Sequence, residues 1–102
     1  MHKEGTRGFM AIVRAHFSIR GRVQGVGFRY FARDHALALG INGWVRNRYD
    51  GTVEGVAEGP QEKVEEFLSL CRQGPQLAHV EGMEVRYEEP QEEKGFTIRG
   101  TV

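Results

Sequence analysis

A single cysteine, Cys71, stands in 102 residues. The chain therefore has no intrachain disulfide, no CxxC pair and no thiolate metal cluster, a usage that suits a reducing compartment. Nowhere does it approach the roughly 20 consecutive apolar residues of a membrane span. The N-terminus, MHKEGTRGFMAIVRAHF, has no apolar run of signal-peptide length before charge interrupts it. There is no internal repeat and no low-complexity segment. Net charge is missing too: fourteen Lys and Arg balance fourteen Asp and Glu, which argues against a broad polyanion-binding surface. These absences point to a cytoplasmic protein of one domain, bound neither to membrane nor to nucleic acid.

The neutral sum conceals a division. From Met1 to Gly51 there are nine basic and three acidic residues, and from Thr52 to Val102 five basic and eleven acidic. A local anion site in the first half is compatible with a total of zero.

Residues 1–11 are polar, Gly-containing and aperiodic and read as an N-terminal extension, leaving residues 12–102 as the domain. Val13, Ala15, Phe17 and Ile19 then alternate with Arg14, His16, Ser18 and Arg20, the pattern of a strand with one buried face. Gly21, Gly25 and Gly27 end it in a loop. Phe28, Phe31, Ala32, His35, Ala36 and Leu39 recur at steps of three and four, a helical stripe that Gly40 can close. A second strand is expected over residues 41–48. Tyr49, Asp50 and Gly51 make a tight connection to a third over 52–58, with imperfect alternation around Gly55 that suggests a bulge. Gly59-Pro60 and Glu62 start a second helix with Val64, Phe67, Leu68 and Cys71 on its apolar face. Gly74-Pro75 stops it. A strand over 78–87 follows, its parity shifting at Gly82, then a polar loop and a short strand at 96–99. The order β-α-β-β-α-β plus one strand predicts an α+β, ferredoxin-like split β-α-β sandwich: two helices on one face of a mostly antiparallel sheet. That fold hosts enzymes, RNA binders and regulatory modules alike.

Chemistry concentrates in Gly21-Arg22-Val23-Gln24-Gly25-Val26-Gly27-Phe28-Arg29, a glycine-rich turn between strand and helix. Backbone N–H groups at a helix start are free and lie at the positive end of the helix dipole. With the Arg29 guanidinium added, the segment can cradle a phosphate-sized dianion; the competing reading is an ordinary flexible connection with a solvated arginine. There is no G-x-x-x-x-G-K-[ST], and Tyr30 stands where a dinucleotide fingerprint needs its third glycine. Cys71 falls inside a helical apolar stripe and not in the loop, which excludes a thiolate phosphatase built on it.

Ile19-x-Gly21-x-Val23-Gln24-Gly25-Val26-Gly27-Phe28-Arg29, followed by Gly43-Trp44-Val45-Arg46-Asn47-x-x-x-Gly51-Thr52-Val53 and Gly59, resembles the acylphosphatase family from about residue 11 onward. The resemblance implies a small, metal-free and cofactor-free hydrolase that splits carboxyl-phosphate anhydrides into a carboxylate and inorganic phosphate. It implies that Arg29 binds the phosphoryl group with the loop amides of Gln24, Gly25, Val26, Gly27 and Phe28, and that Asn47 positions the attacking water. Family members often carry a small hydroxyl residue after that asparagine; here it is Arg48. An asparagine takes no proton at neutral pH. A loose phosphoryl-transfer transition state depends mainly on positioning and charge, however, so the water's proton can pass to the substrate's own phosphate oxygen.

The remaining residues have plainer readings. His2, His16, His35 and His79 share no metal-ligand spacing. Asp50 belongs to an Asp-Gly turn, Trp44 to packing, and Glu88, Glu89, Glu92 and Glu93 to a solvated loop. Arg20, Arg22, Arg46 and Arg48 are candidates for steering an anionic substrate. The alternatives are an RNA-binding module, suggested by the aromatic-basic texture of residues 27–31, and a regulatory ligand-binding module of the same fold. Against the first, those aromatics stand at a loop-to-helix junction and not on a third strand. The substrate that the resemblance implies is a small-molecule acyl phosphate, and the chain is expected to act as a monomer.

Overall fold

The computed structural model describes residues 11–102. Strands β1 (Ile12–Arg22), β2 (Asn42–Asn47), β3 (Val53–Pro60), β4 (His79–Glu88) and β5 (Phe96–Ile98) alternate with helices α1 (Phe28–Leu39) and α2 (Gln61–Gln73). The sheet order is β4-β1-β3-β2-β5. Every pairing is antiparallel except β2 with β5. This is the expected α+β sandwich. All but one of the residues of the proposed extension lie outside the described residues; the one described, Ala11, accepts a hydrogen bond from the Gln61 amide at 2.9 Å.

Alternation decides which face the helices cover. Ala15, Phe17 and Ile19 of β1 align with Ala57, Gly55 and Val53 of β3, and these residues are buried. Helix α1 adds Ala32 and Ala36 to the core, and α2 adds Val64, Phe67, Leu68 and Cys71. Fully burying a phenylalanine such as Phe17 or Phe67 stabilises the fold by about 1.5–3 kcal/mol.

Two details differ from the sequence reading. The pairing of β3 with both neighbours runs through Gly55 without a shift, so there is no bulge there. A Cβ at Gly55 would stand 2.5 Å from Phe17 Cζ, so the glycine makes room for that ring. The register shift lies instead between Arg20 and Gly21, whose partners jump from Gly82 to Val80 and leave Glu81 as the extra residue. The parity change read at Gly82 is this bulge. Helix α2 begins at Gln61, one residue later than read: Pro60 is its N-cap, with φ −57° and ψ 138°, and not its first helical residue.

The other sheet face carries an ion-pair network in place of helices. Arg14 meets Glu58 and Glu93 at 3.0 Å and Glu88 at 3.1 Å. His16 bridges Glu54 at 2.7 Å and Glu88 at 3.1 Å. Two of the four glutamates assigned to a solvated loop, Glu88 and Glu93, are thus bound to Arg14. Glu58 draws that loop back over the sheet by accepting the amides of Gln91 and Glu93.

Candidate functional site

Antiparallel register brings the two motifs to one end of the sheet. Asn47 pairs with Val53, and Val53 pairs with Ile19. Asn47 therefore sits beside the end of β1 from which the glycine loop departs. By the same parity its side chain is on the helix-covered face. Its Oδ1 is buried and accepts no hydrogen bond among the described residues. A buried acceptor left unpaired costs about 1–3 kcal/mol, so such an atom is unusual outside functional sites.

The loop is anchored at both ends by buried side chains, Val23 at 1% and Phe28 at 2% exposure. Between them Gly25 and Gly27 take φ +74° and +79°, and a Cβ on either would meet nothing within 4 Å. Backbone conformation, not crowding, requires these glycines. Gly27 caps α1 in the left-handed region with no side-chain cap, and the first turn holds no acidic residue. The amides at the start of α1 therefore have no carboxylate or hydroxyl of their own helix as partner. Gly21 serves a different purpose: a Cβ there would run into the His79 carbonyl oxygen across the bulge.

Arg29, in the first turn of α1, is half-buried. Among the described residues the arginines in ion pairs are Arg14, Arg33, Arg46, Arg48 and Arg86, and Arg29 is not one of them. A half-buried guanidinium at a helix N-terminus, without a carboxylate partner, is suited to an anion from solution.

The other candidate arginines divide. Arg46 and Arg48 turn to the open face and share one oxygen of Glu54, at 2.9 and 3.2 Å. Burial pushes the Glu54 carboxyl up, but the hydrogen bonds from His16, Arg46 and Arg48 outweigh it and hold the group below the usual carboxylate range. Arg20 lies over Gly82, where any side chain would collide with its guanidinium. Arg22 is exposed. Asp50 accepts from the Thr52 amide at 3.0 Å and hydroxyl at 2.6 Å, as a turn residue does. Trp44 is 6% exposed, with the guanidinium groups of Arg46 and Arg99 over its ring at 4.7 and 4.4 Å from the centroid. The Cys71 thiol is pushed up to about 12 by burial. No group of three or more His, Cys, Asp or Glu able to hold a metal occurs among the described residues, and none of their helices is long and apolar enough to cross a membrane.

One contact escaped the sequence reading, which used only the Gln24 backbone. The Gln24 carboxamide donates to the carbonyl oxygens of Arg48 at 2.7 Å and Thr52 at 2.9 Å. It thereby ties the glycine loop to the β2–β3 turn. No periodicity marks a partnership across 24 residues; a glutamine among glycines and valines was the one available hint.

Set beside known proteins, the chain matches the Acylphosphatase family model over residues 15–98. It is 59% identical to an acylphosphatase of Moorella thermoacetica over 93 residues, covering 91% of this chain and 100% of that protein. With an acylphosphatase of Thermococcus kodakarensis it shares 53% identity, covering 89% of this chain and 100% of the relative. The crystal structure of acylphosphatase from Bacillus subtilis superposes with a TM-score of 0.83 at 36% identity, over 85% of this chain and 98% of that one. The chain belongs to the acylphosphatase family.

Proposed function

We propose that this acylphosphatase-family chain hydrolyses the carboxyl-phosphate anhydride of small acyl phosphates through the loop 24–28, Arg29 and Asn47. The loop amides and the Arg29 fork hold the phosphoryl oxygens, as charge-assisted bonds aimed at the charge of the transition state. The carboxamide of Asn47 orients a water in line with the bond to be broken. The water oxygen attacks phosphorus and the P–O bond to the carboxyl group breaks. A carboxylate leaves, and the water's proton passes to a phosphate oxygen.

No acid is needed for the departing group, because a carboxylic acid of pKa roughly 4 leaves readily as its anion. An alkoxide does not, so phosphate monoesters are poor substrates even where they bind. For the same reason the reaction calls for neither metal nor cofactor. The observation that carries the reading is the unpartnered, buried Oδ1 of Asn47 beside the loop that precedes Arg29.

The enzyme acts as a cytoplasmic monomer over residues 12–102, without a nucleic-acid or membrane partner. The RNA-binding alternative has less support. On the open sheet face that such a module would use, Arg14, Arg46, Arg48 and Arg86 are already held in ion pairs by Glu58, Glu54 and Glu88, and Trp44 there is covered. The test is hydrolysis of acetyl and benzoyl phosphate in excess EDTA, compared with p-nitrophenyl phosphate. Turnover of the acyl phosphates alone, abolished by Arg29→Ala, supports the reading. No turnover of either acyl phosphate overturns it.

A further inference from the structure

The glycine loop follows β1 and the β2–β3 turn follows Asn47, and the proposed reaction needs a phosphate held by the loop and a water held at Asn47. Misplacement by about 1 Å can cost a hundredfold in rate. The distance between the two segments therefore has to be set by something rigid. The glycine loop is not rigid by composition, because Gly25 and Gly27 have broad backbone freedom.

Among the described residues, the only side-chain hydrogen bonds between residues 21–28 and residues 47–52 are the two from the Gln24 carboxamide. Its two N–H bonds go to carbonyls that already hold the turn together. The Arg48 oxygen also accepts the Gly51 amide at 3.0 Å, and the Thr52 oxygen also accepts the Arg48 amide at 2.9 Å. Each carbonyl has two lone pairs. The turn uses one from each, and Gln24 takes the other. Arg48 directly follows Asn47, so the bond falls one peptide from the candidate water-orienting side chain. Asn47 Oδ1 has no bond of its own to a described residue, so the side chain depends on the backbone for its placement.

We infer that Gln24 is a positioning residue: its side chain sets the distance between the phosphate loop and Asn47, and so the line of attack, without itself contacting substrate. This rests on the proposed function. It separates the two parts of Gln24, whose amide belongs to the anion cradle and whose carboxamide belongs to the turn.

The test uses Gln24→Met, which keeps length and the backbone amide but removes both N–H donors, with Gln24→Glu as a second variant that keeps the shape and replaces donors by acceptors. Acetyl phosphate hydrolysis and inhibition by inorganic phosphate are measured in these, in Asn47→Ala and in the Gln24→Met/Asn47→Ala double variant. We expect kcat to fall about 10- to 100-fold in Gln24→Met with the phosphate inhibition constant within twofold of wild type. We further expect the double variant to be no slower than Asn47→Ala, because a residue acting through Asn47 has nothing left to position. Three results overturn the inference: wild-type kcat in both Gln24 variants, a parallel loss of phosphate affinity in Gln24→Met, or additive losses in the double variant. Wild-type kcat in Asn47→Ala overturns the underlying reading of Asn47, and this inference with it.

Discussion

Arg14 and Glu58 face each other across β1 and β3 at 3.0 Å, their side chains 7% and 5% exposed. Neither is stable there alone. A buried charge is tolerated only when paired and hydrogen-bonded, and here Arg14 has Glu58, Glu88 and Glu93 while Glu58 also accepts the Gln91 and Glu93 amides. The segment after β4 is thereby folded back over the sheet at the end away from Asn47. Replacing Glu58 by Ala leaves Arg14 without its most buried partner and should cost about 3–5 kcal/mol. Urea unfolding measures this, and kcat of the folded fraction should be unchanged.

Acid should loosen the same face. Glu88 is held down to about 2 by hydrogen bonds from His16, Arg86 and Arg14. Glu58 is also lowered: burial pushes it up, and the Gln91 amide, Arg14 and the Glu93 amide more than offset it. A carboxyl with a depressed folded-state pKa contributes stability that is complete above its unfolded value of about 4.5 and is lost as pH falls through the folded value. Unfolding curves from neutral pH down to 2 should therefore show stability falling chiefly below about 4.5, with a shallower fall in Glu88→Gln. Stability independent of pH over that window contradicts the assignment.

Two glycines should respond differently to the same substitution. Gly55→Ala places a methyl against Phe17 and should destabilise by about 1–3 kcal/mol, with phosphate inhibition unaltered. Gly27→Ala meets no atom but must hold φ +79°, at about 1–2 kcal/mol. Because Gly27 shapes the proposed cradle, weaker phosphate inhibition should accompany that loss. Equal phosphate inhibition in the two variants would count against the cradle.

If Asn47 orients water as proposed, with little part in anion binding, Asn47→Ala should depress kcat by tenfold or more while inorganic phosphate still inhibits near its wild-type constant. Steady-state kinetics with phosphate as inhibitor reads both quantities. Lost inhibition would make Asn47 a phosphate ligand instead.

Much of the fold is legible because burial imposes period. The alternation of Val13 to Ile19 and the stripe of Val64, Phe67, Leu68 and Cys71 each report one buried face, and both elements form where the pattern puts them. What the pattern hides is pairing between distant segments. Gly55 breaks alternation in the same way whether the strand bulges or a ring from the next strand needs room, and only the position of Phe17 distinguishes the two. Glu88 and Glu93 have the composition of a solvated loop, and nothing local reveals that Arg14 draws them in. At the candidate site, the loop and Asn47 stand out in sequence as motifs. The reach of Gln24 to the turn and the diversion of Arg46 and Arg48 to Glu54 depend on which strands are neighbours.

The most direct measurement of the account is the kinetics of Arg29→Lys beside Arg29→Ala, with acetyl phosphate as substrate and inorganic phosphate as inhibitor. A lysine retains the charge but not the planar fork that two phosphoryl oxygens require. Loss of one such donor costs about 3 kcal/mol of transition-state stabilisation, so the lysine variant should fail nearly as badly as the alanine one. Near-wild-type kcat/KM in Arg29→Lys would contradict the proposal that the Arg29 fork, set at the end of the glycine loop, holds the phosphoryl group.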